Sequence, residues 1–196
     1  MSDPDITHEW VSDFSTDTAH AIVGLVDCAA ADGGTLGHAE RMTAAQARSF
    51  IDDLQRRVAA GESHALLGRV RGRPAFLAVL TPDPMPNCRH RAELGKGVVH
   101  PEFRGRQLVP LAFLEIVRRA EQLGVEQLVL DVREGTRAHR LWQAFGFATF
   151  GVLRDYARVG GASHRGHFMV QTVASLRTRL EKRGHGSAPL LEVVHA

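Results

Sequence analysis

Two arginines, Arg104 and Arg106, flank Gly105 within the segment VVHPEFRGRQLVPLAFLEIV, residues 98–117. The chemistry they offer is anion binding. A strand ends at Pro101, a basic turn follows, and an apolar helix begins at once. A helix start exposes unpaired backbone N–H groups and a partial positive charge. Guanidinium groups bond phosphate oxygens in pairs, so the place suits a pyrophosphate. An Arg-Gly-Arg turn alone says little, because basic turns are common. Strand, proline, turn and helix in one stretch say considerably more.

Residues able to handle protons lie on either side of this segment. Asp131 closes a short apolar run, where a carboxylate can accept a proton directly or through water. Its other reading is a cap for the helix that opens at Thr136. Tyr156 is the only tyrosine: a proton donor, or a strand aromatic with its hydroxyl at the surface. His164 and His167 alternate on the last strand, so His164 shares a face with Gly166 and His167 lies on the other. Either imidazole titrates near neutral pH, and either also reads as an ordinary polar strand residue. Glu93 stands on the strand before the basic turn, with a solvated face as its plain alternative.

Periodicity shows the elements that must position these groups. A weak strand is expected around residues 9–14. Ile22, Leu25, Val26 and Ala29 recur at helical spacing and stop at Asp32-Gly33-Gly34. Thr43 with Gln46 forms a capping-box pattern before Ala47, Phe50, Ile51, Leu54 and Val58, and Gly61 ends that helix. Residues 64–71 and 74–81 read as a hairpin about Gly72-Arg73. Three prolines make 81–87 a loop, and 92–99 is a third strand ended by Pro101. Leu108, Ala112, Ile116, Ala120 and Leu123 make one stripe of a helix over 107–123. A strand at 128–132 follows, then a helix from Thr136 with Ala138, Leu141, Trp142 and Phe145 inward. Residues 148–158 and 164–172 read as strands around Gly160-Gly161, and Ser175 as the cap of a short helix to 183. The order is an α+β pattern. Residues 1–183 are expected to form one domain, and 184–196 a tail, either disordered or an added edge strand.

The basic segment resembles the GNAT acetyltransferases, whose coenzyme A loop runs roughly V-x-P-E-x-R-G-R-G-x-G before a helix. Here it reads Val99-His100-Pro101-Glu102-Phe103-Arg104-Gly105-Arg106-Gln107-Leu108-Val109. The likeness continues through Ala138, Leu141, Trp142, Gly146 and Phe147, and covers about residues 62–171. It implies a GNAT fold, a mixed sheet of about seven strands flanked by about four helices. It also implies an acetyl-coenzyme A-dependent N-acyltransferase with no metal, passing an acyl group directly to a primary amine of a small molecule. Arg104, Gly105, Arg106, Gln107, Leu108 and Val109 would hold the pyrophosphate. Val98 and Val99 would pair with the pantetheine. Two signature glycines are replaced, by Gln107 and Val109. Glycines let the backbone approach phosphates, so a non-catalytic binding module with an altered loop is the alternative.

Many family members carry a tyrosine, the acid for the leaving thiolate, where Trp142 stands. Indole supplies no proton of suitable pKa, so Trp142 reads as a core aromatic beside the cofactor, and Tyr156 becomes the first choice. Glu93 occupies a position where several family members keep their base. The run Leu130-Asp131-Val132-Arg133-Glu134-Gly135-Thr136-Arg137-Ala138, with Gly151, Tyr156, Gly161 and His164 after it, is similar to the tabtoxin-resistance type of these enzymes. The acceptor should be shaped by the last hairpin and by residues 31–42, where Asp32, His38, Glu40 and Arg41 stand.

Composition sets the remaining bounds. A net charge of +2 is too small to argue for nucleic acid. No apolar run approaches the ~18 residues of a membrane span, and the polar N-terminus reads as no signal, so a cytoplasmic protein is expected. Cys28 and Cys88 form no motif, and none of eleven histidines sits in a ligand pair. A homodimer is left open.

Overall fold

The computed structural model describes residues 6–33 and 36–185. Seven strands form one sheet: β1 (Ile6–Trp10), β2 (His64–Val70), β3 (Arg73–Pro82), β4 (Arg91–Val99), β5 (Gln127–Arg133), β6 (Ala148–Val159) and β7 (Ala162–Thr172). Their order across the sheet is β1-β2-β3-β4-β5-β7-β6. Among the described residues there are five α-helices: α1 (Thr16–Ala31), α2 (Ala44–Ala59), α3 (Leu108–Gln122), α4 (Arg137–Ala144) and α5 (Val173–His185). The α+β architecture agrees with the expected GNAT fold, and none of these helices is long and apolar enough to cross a membrane.

Strand alternation builds two cores. On one face Leu66, Phe76, Leu80, Leu94, Leu128 and Leu130 meet Phe113 and Ile116 of α3 and Phe145 just after α4. On the other, Ala65, Leu67, Leu77 and Val79 meet Ile22, Leu25, Val26 and Leu54 from α1 and α2. Both sets follow the period of two that a strand imposes.

Local chemistry explains the element boundaries. Ser15 and Thr136 each cap a helix, and Thr43 and Gln46 form the full reciprocal box. The first hairpin turns on Arg71-Gly72, one residue earlier than expected, with both φ angles positive. That is the primed turn whose twist matches the flanking strands. β1 is shifted toward the N-terminus relative to the expected 9–14, because pairing with Leu66–Val70 sets its limits. The last helix is capped by Thr172, whose Oγ1 accepts from the Ser175 N–H, so Ser175 itself lies inside it. The tail from residue 186 lies outside the described residues.

One interruption in the sheet matters for function. β4 and β5 run parallel but pair only where Arg91, Ala92 and Glu93 meet Gln127, Leu128 and Val129. Both strands continue beyond that point without pairing to each other. β4 also carries an extra residue opposite β3, between Gly95 and Val98. Lys96 lies in that bulge at φ +53°. The sheet therefore opens between the distal halves of its two central parallel strands.

Candidate active site

The basic turn sits at the mouth of this opening. Phe103 is its anchor: it is 4% exposed, with the guanidinium of Arg73 5.2 Å and that of Arg106 5.4 Å from the ring centre. Arg73 also bonds both oxygens of Glu102, at 2.7 and 2.6 Å, so the motif's glutamate is structural. Leu108 sends its side chain into the core, and Val109 packs partly buried against it. No side chain caps the first turn of α3, and the N–H groups of Leu108 and Val109 make no hydrogen bond among the described residues. Pro110 sits in that same turn, where a missing N–H costs no intrahelical bond.

Backbone conformation separates the two replaced glycines. Gln107 stands in the left-handed region at φ +59°, and Gly105 at +76°. The turn keeps the shape that glycine favours, and Gln107 bears the strain of adopting it. Val109 is helical and needs no glycine. Arg104 is already engaged: it donates to Asp32, just after α1, at 2.6 Å. Both partners are partly exposed, and such pairs contribute at most about 1 kcal/mol, so a diphosphate can compete for the guanidinium. Val98 and Val99 pair with Leu77 and Phe76 of β3. Their opposite edge faces the gap left by β5.

The proton-handling candidates gather on the α1–α2 face. Leu128, Leu130 and Val132 of β5 are buried on the α3 side, which puts Asp131 and Arg133 on the other. The Tyr156 hydroxyl donates to Asp131 Oδ2. Two features bring it there. β6 carries extra residues between Leu153 and Ala157, a bulge that re-aims a side chain. Between the two strands Gly166 offers no side chain: a Cβ there would stand 2.1 Å from the tyrosine ring. The phenol crosses the bare backbone of β7 to reach β5. Burial first, and the Asp131 carboxylate second, push its pKa well above the ordinary value. Glu93 is exposed on β4, near enough for its charge to act on both Tyr156 and Lys96.

The remaining sequence candidates fall elsewhere. His164 pairs with Ala157 near the hairpin end and makes no hydrogen bond or ion pair with Asp131, Glu93 or Tyr156. His167, on the opposite face, bonds Thr149 at 3.1 Å and Glu134 at 3.0 Å and lies 4.3 Å from the ring of His139. Trp142 is 9% exposed, packed against Phe113 and Phe147. A Cβ at Gly97 would lie 3.3 Å from its ring, so the indole reaches β4 beside the opening. Lys96, Arg133 and Gly166 were not singled out as site residues from sequence. An isolated lysine or arginine in a strand carries no signal, and a glycine reveals its purpose only once its neighbour across the strand is known. Among the described residues, no cluster of three or more His, Cys, Asp or Glu side chains is arranged to hold a metal ion.

Residues 21–147 match the profile of the acetyltransferase (GNAT) family. The chain belongs to that family and is an N-acetyltransferase. Solved structures share its fold. A ribosomal-protein-alanine N-acetyltransferase from Brucella melitensis is 18% identical, with a TM-score of 0.71 over 85% of this chain and 99% of that one. An N-acetyltransferase from Staphylococcus aureus Mu50 gives 15% and 0.71 over 86% and 99%. The yncA protein of Salmonella typhimurium, solved with its cofactor acetyl-CoA, gives 16% and 0.70 over 94% and 97%. A comparison with curated proteins returned no match.

Proposed function

We propose that this protein transfers an acetyl group from acetyl-coenzyme A directly to a primary amine of a small molecule, across the opening between β4 and β5. The observation that carries the reading is the coincidence of three features on one opening. They are an uncapped α3 start beside Arg104 and Arg106, an unpaired edge of β4 at Val98 and Val99, and the Asp131–Tyr156 pair on the far face.

These residues fit the coenzyme. Free N–H groups and guanidinium groups suit its pyrophosphate, and the open edge of β4 suits the amides of its pantetheine. When bound, the coenzyme supplies the acyl group as a thioester. Asp131 takes a proton from the acceptor ammonium, freeing the nitrogen lone pair for attack. Tyr156 gives its proton to the departing thiolate and is restored from Asp131, while the second nitrogen proton, shed as the amide forms, passes to solvent water. The coupling is physical: once Asp131 is protonated, its charge no longer holds the phenol proton, and Tyr156 becomes the better acid. Trp142 acts as an apolar wall beside the thioester. Glu93 assists in holding the ammonium, and His164, on the face that Tyr156 crosses, is the next imidazole able to exchange a proton there. Kinship with the tabtoxin-resistance type rests on the segment from Leu130 to Ala138 and carries no substrate with it.

Thermal unfolding with acetyl-coenzyme A tests the reading. Ligand at a hundredfold excess over its Kd should add about 2.7 kcal/mol. Arg104→Ala and Arg106→Ala should each weaken that response. Gln107→Gly should raise the stability of the free protein by ~1 kcal/mol, since relief of left-handed strain exceeds the entropic cost of glycine, and should keep the ligand response. No shift at millimolar coenzyme would contradict the proposal.

A further inference from the structure

The acceptor side of the cleft holds cations as well as acids. Lys96, in the β4 bulge, places its ammonium against the loop between α1 and α2. It donates to the Leu36 carbonyl at 3.0 Å, with the Phe50 ring centre 6.0 Å away. One donor is used there, and an ammonium has others to offer. Arg133, two residues beyond Asp131 on the same face of β5, reaches the same loop. Its Nη2 lies 3.1 Å from where a Cβ on Gly33 would stand, and the Lys96 Nζ is 3.7 Å from where a Cβ on Gly37 would stand. Neither cation forms an ion pair among the described residues. The charges of Glu93 and Asp131 act on Lys96, and those of Asp131 and Arg133 on Tyr156, so the four charged groups share one neighbourhood.

Desolvating a cation without a counter-ion is unfavourable. Burial accordingly holds the Lys96 pKa below its ordinary value, against the opposing pull of Glu93 and Asp131. A substrate that brings its own anion removes this penalty. A plain diamine or other polycation instead meets two positive groups beside the acids meant to receive it. Arg57 also acts on Lys96, but it is paired with Asp53; the two acids and the two cations without an ion pair match a molecule carrying one charge of each sign.

We propose that the acceptor is zwitterionic: an amine whose own molecule carries an oxyanion, a carboxylate or a phosphorus oxyacid, seated on Lys96 and Arg133 while its ammonium faces Asp131 and Glu93. This rests on the acyl-transfer reading of the cleft. Lys96 and Arg133 are specificity-determining residues and take no part in bond making. The loop from Leu36 to Gly37 presses against the lysine and holds it in place.

The test uses matched probes: common L-amino acids, their α-amides, and aminoalkylphosphonates. Two readouts are taken, binding to protein saturated with coenzyme A by calorimetry, and thiol release with acetyl-coenzyme A. Amino acids should exceed their amides by at least about tenfold in kcat/KM, mainly through KM, as a site built for a polar group rejects an analogue lacking it. The phosphonates show which oxyanion fits better. Lys96→Gln and Arg133→Gln should each erase most of the preference, and Lys96→Arg should restore part of it. Each variant is first checked for an unchanged melting response to acetyl-coenzyme A, and Arg133→Gln decides if Lys96→Gln does not fold. Amides bound and acetylated as well as acids would overturn the proposal, as would a preference that survives both glutamine variants. Selective binding of acids without thiol release would leave the anion seat standing and overturn acyl transfer instead.

Discussion

Gly166→Ala should lower turnover by about 10²–10⁴-fold although it removes no functional group. Positioned proton transfer is typically worth that much, and here the position depends on an absent side chain. A Cβ at residue 166 would stand 2.1 Å from Cγ of Tyr156 and 2.4 Å from Cδ2. These atoms are close to the backbone of β6, so no rotation of a flexible end relieves the clash. The ring must leave, and its hydrogen bond to Asp131 goes with it. Tyr156→Phe removes the hydroxyl at nearly constant volume and should lose a similar factor. Asp131→Asn should do the same by removing the proton acceptor. Because all three act on one pair, Gly166→Ala combined with Tyr156→Phe should be little worse than either alone. The stabilising response to acetyl-coenzyme A should persist in each, since the basic turn proposed to hold the pyrophosphate lies on another element. Steady-state thiol release checks this. Rates within about threefold of wild type, under ~1 kcal/mol, would remove Tyr156 and Asp131 from the proton path and bring Glu93 and His164 forward.

The second large effect is on stability. Trp142 is buried between Phe113 and Phe147, at ring-centre distances of 5.5 and 5.1 Å, and backs onto Gly97. Trp142→Ala empties that place and should cost ~3–5 kcal/mol. For a chain of this size the loss corresponds to a fall in Tm of roughly 6–20 °C. Trp142→Phe keeps most of the contact and should cost much less. Thermal melts of the two variants check the point. If Trp142→Ala melted like wild type while turnover vanished, the indole would belong to the chemistry and not to the frame.

The contrast between these positions shows what a sequence can disclose. Caps and turns are local: Thr43 with Gln46, Thr136, and Gly160-Gly161 mark their boundaries within a few residues, and the structure has each of them. The basic turn is also local: Arg104-Gly105-Arg106 lies between β4 and α3, as the order of strand, proline and apolar helix leads one to expect. β1 is harder to delimit, because Thr7, His8 and Glu9 are exposed and its limits come from pairing with β2. The active-site details are non-local. Arg104 meets Asp32 across 72 positions. Lys96 turns toward the cleft because β4 carries one residue more than β3 opposite it. Tyr156 reaches Asp131 only through a bulge in one strand and a glycine in the next. No spacing rule encodes any of these three: the first depends on how α1 packs beside the basic turn, and the other two on the register between strands.

The proposed acetyl transfer across the opening between β4 and β5 is direct, with no acetylated enzyme on the way. Initial rates of thiol release, with acetyl-coenzyme A and an accepted amine both varied and the acetylated amine quantified alongside, test it most directly. Thiol and acetylated amine should appear in equal amounts, and reciprocal plots should intersect, as a ternary complex requires. Parallel plots with an acetylated enzyme intermediate would indicate a covalent route and contradict direct transfer. Coenzyme binding without thiol release on any amine would contradict the assignment of catalysis to this cleft.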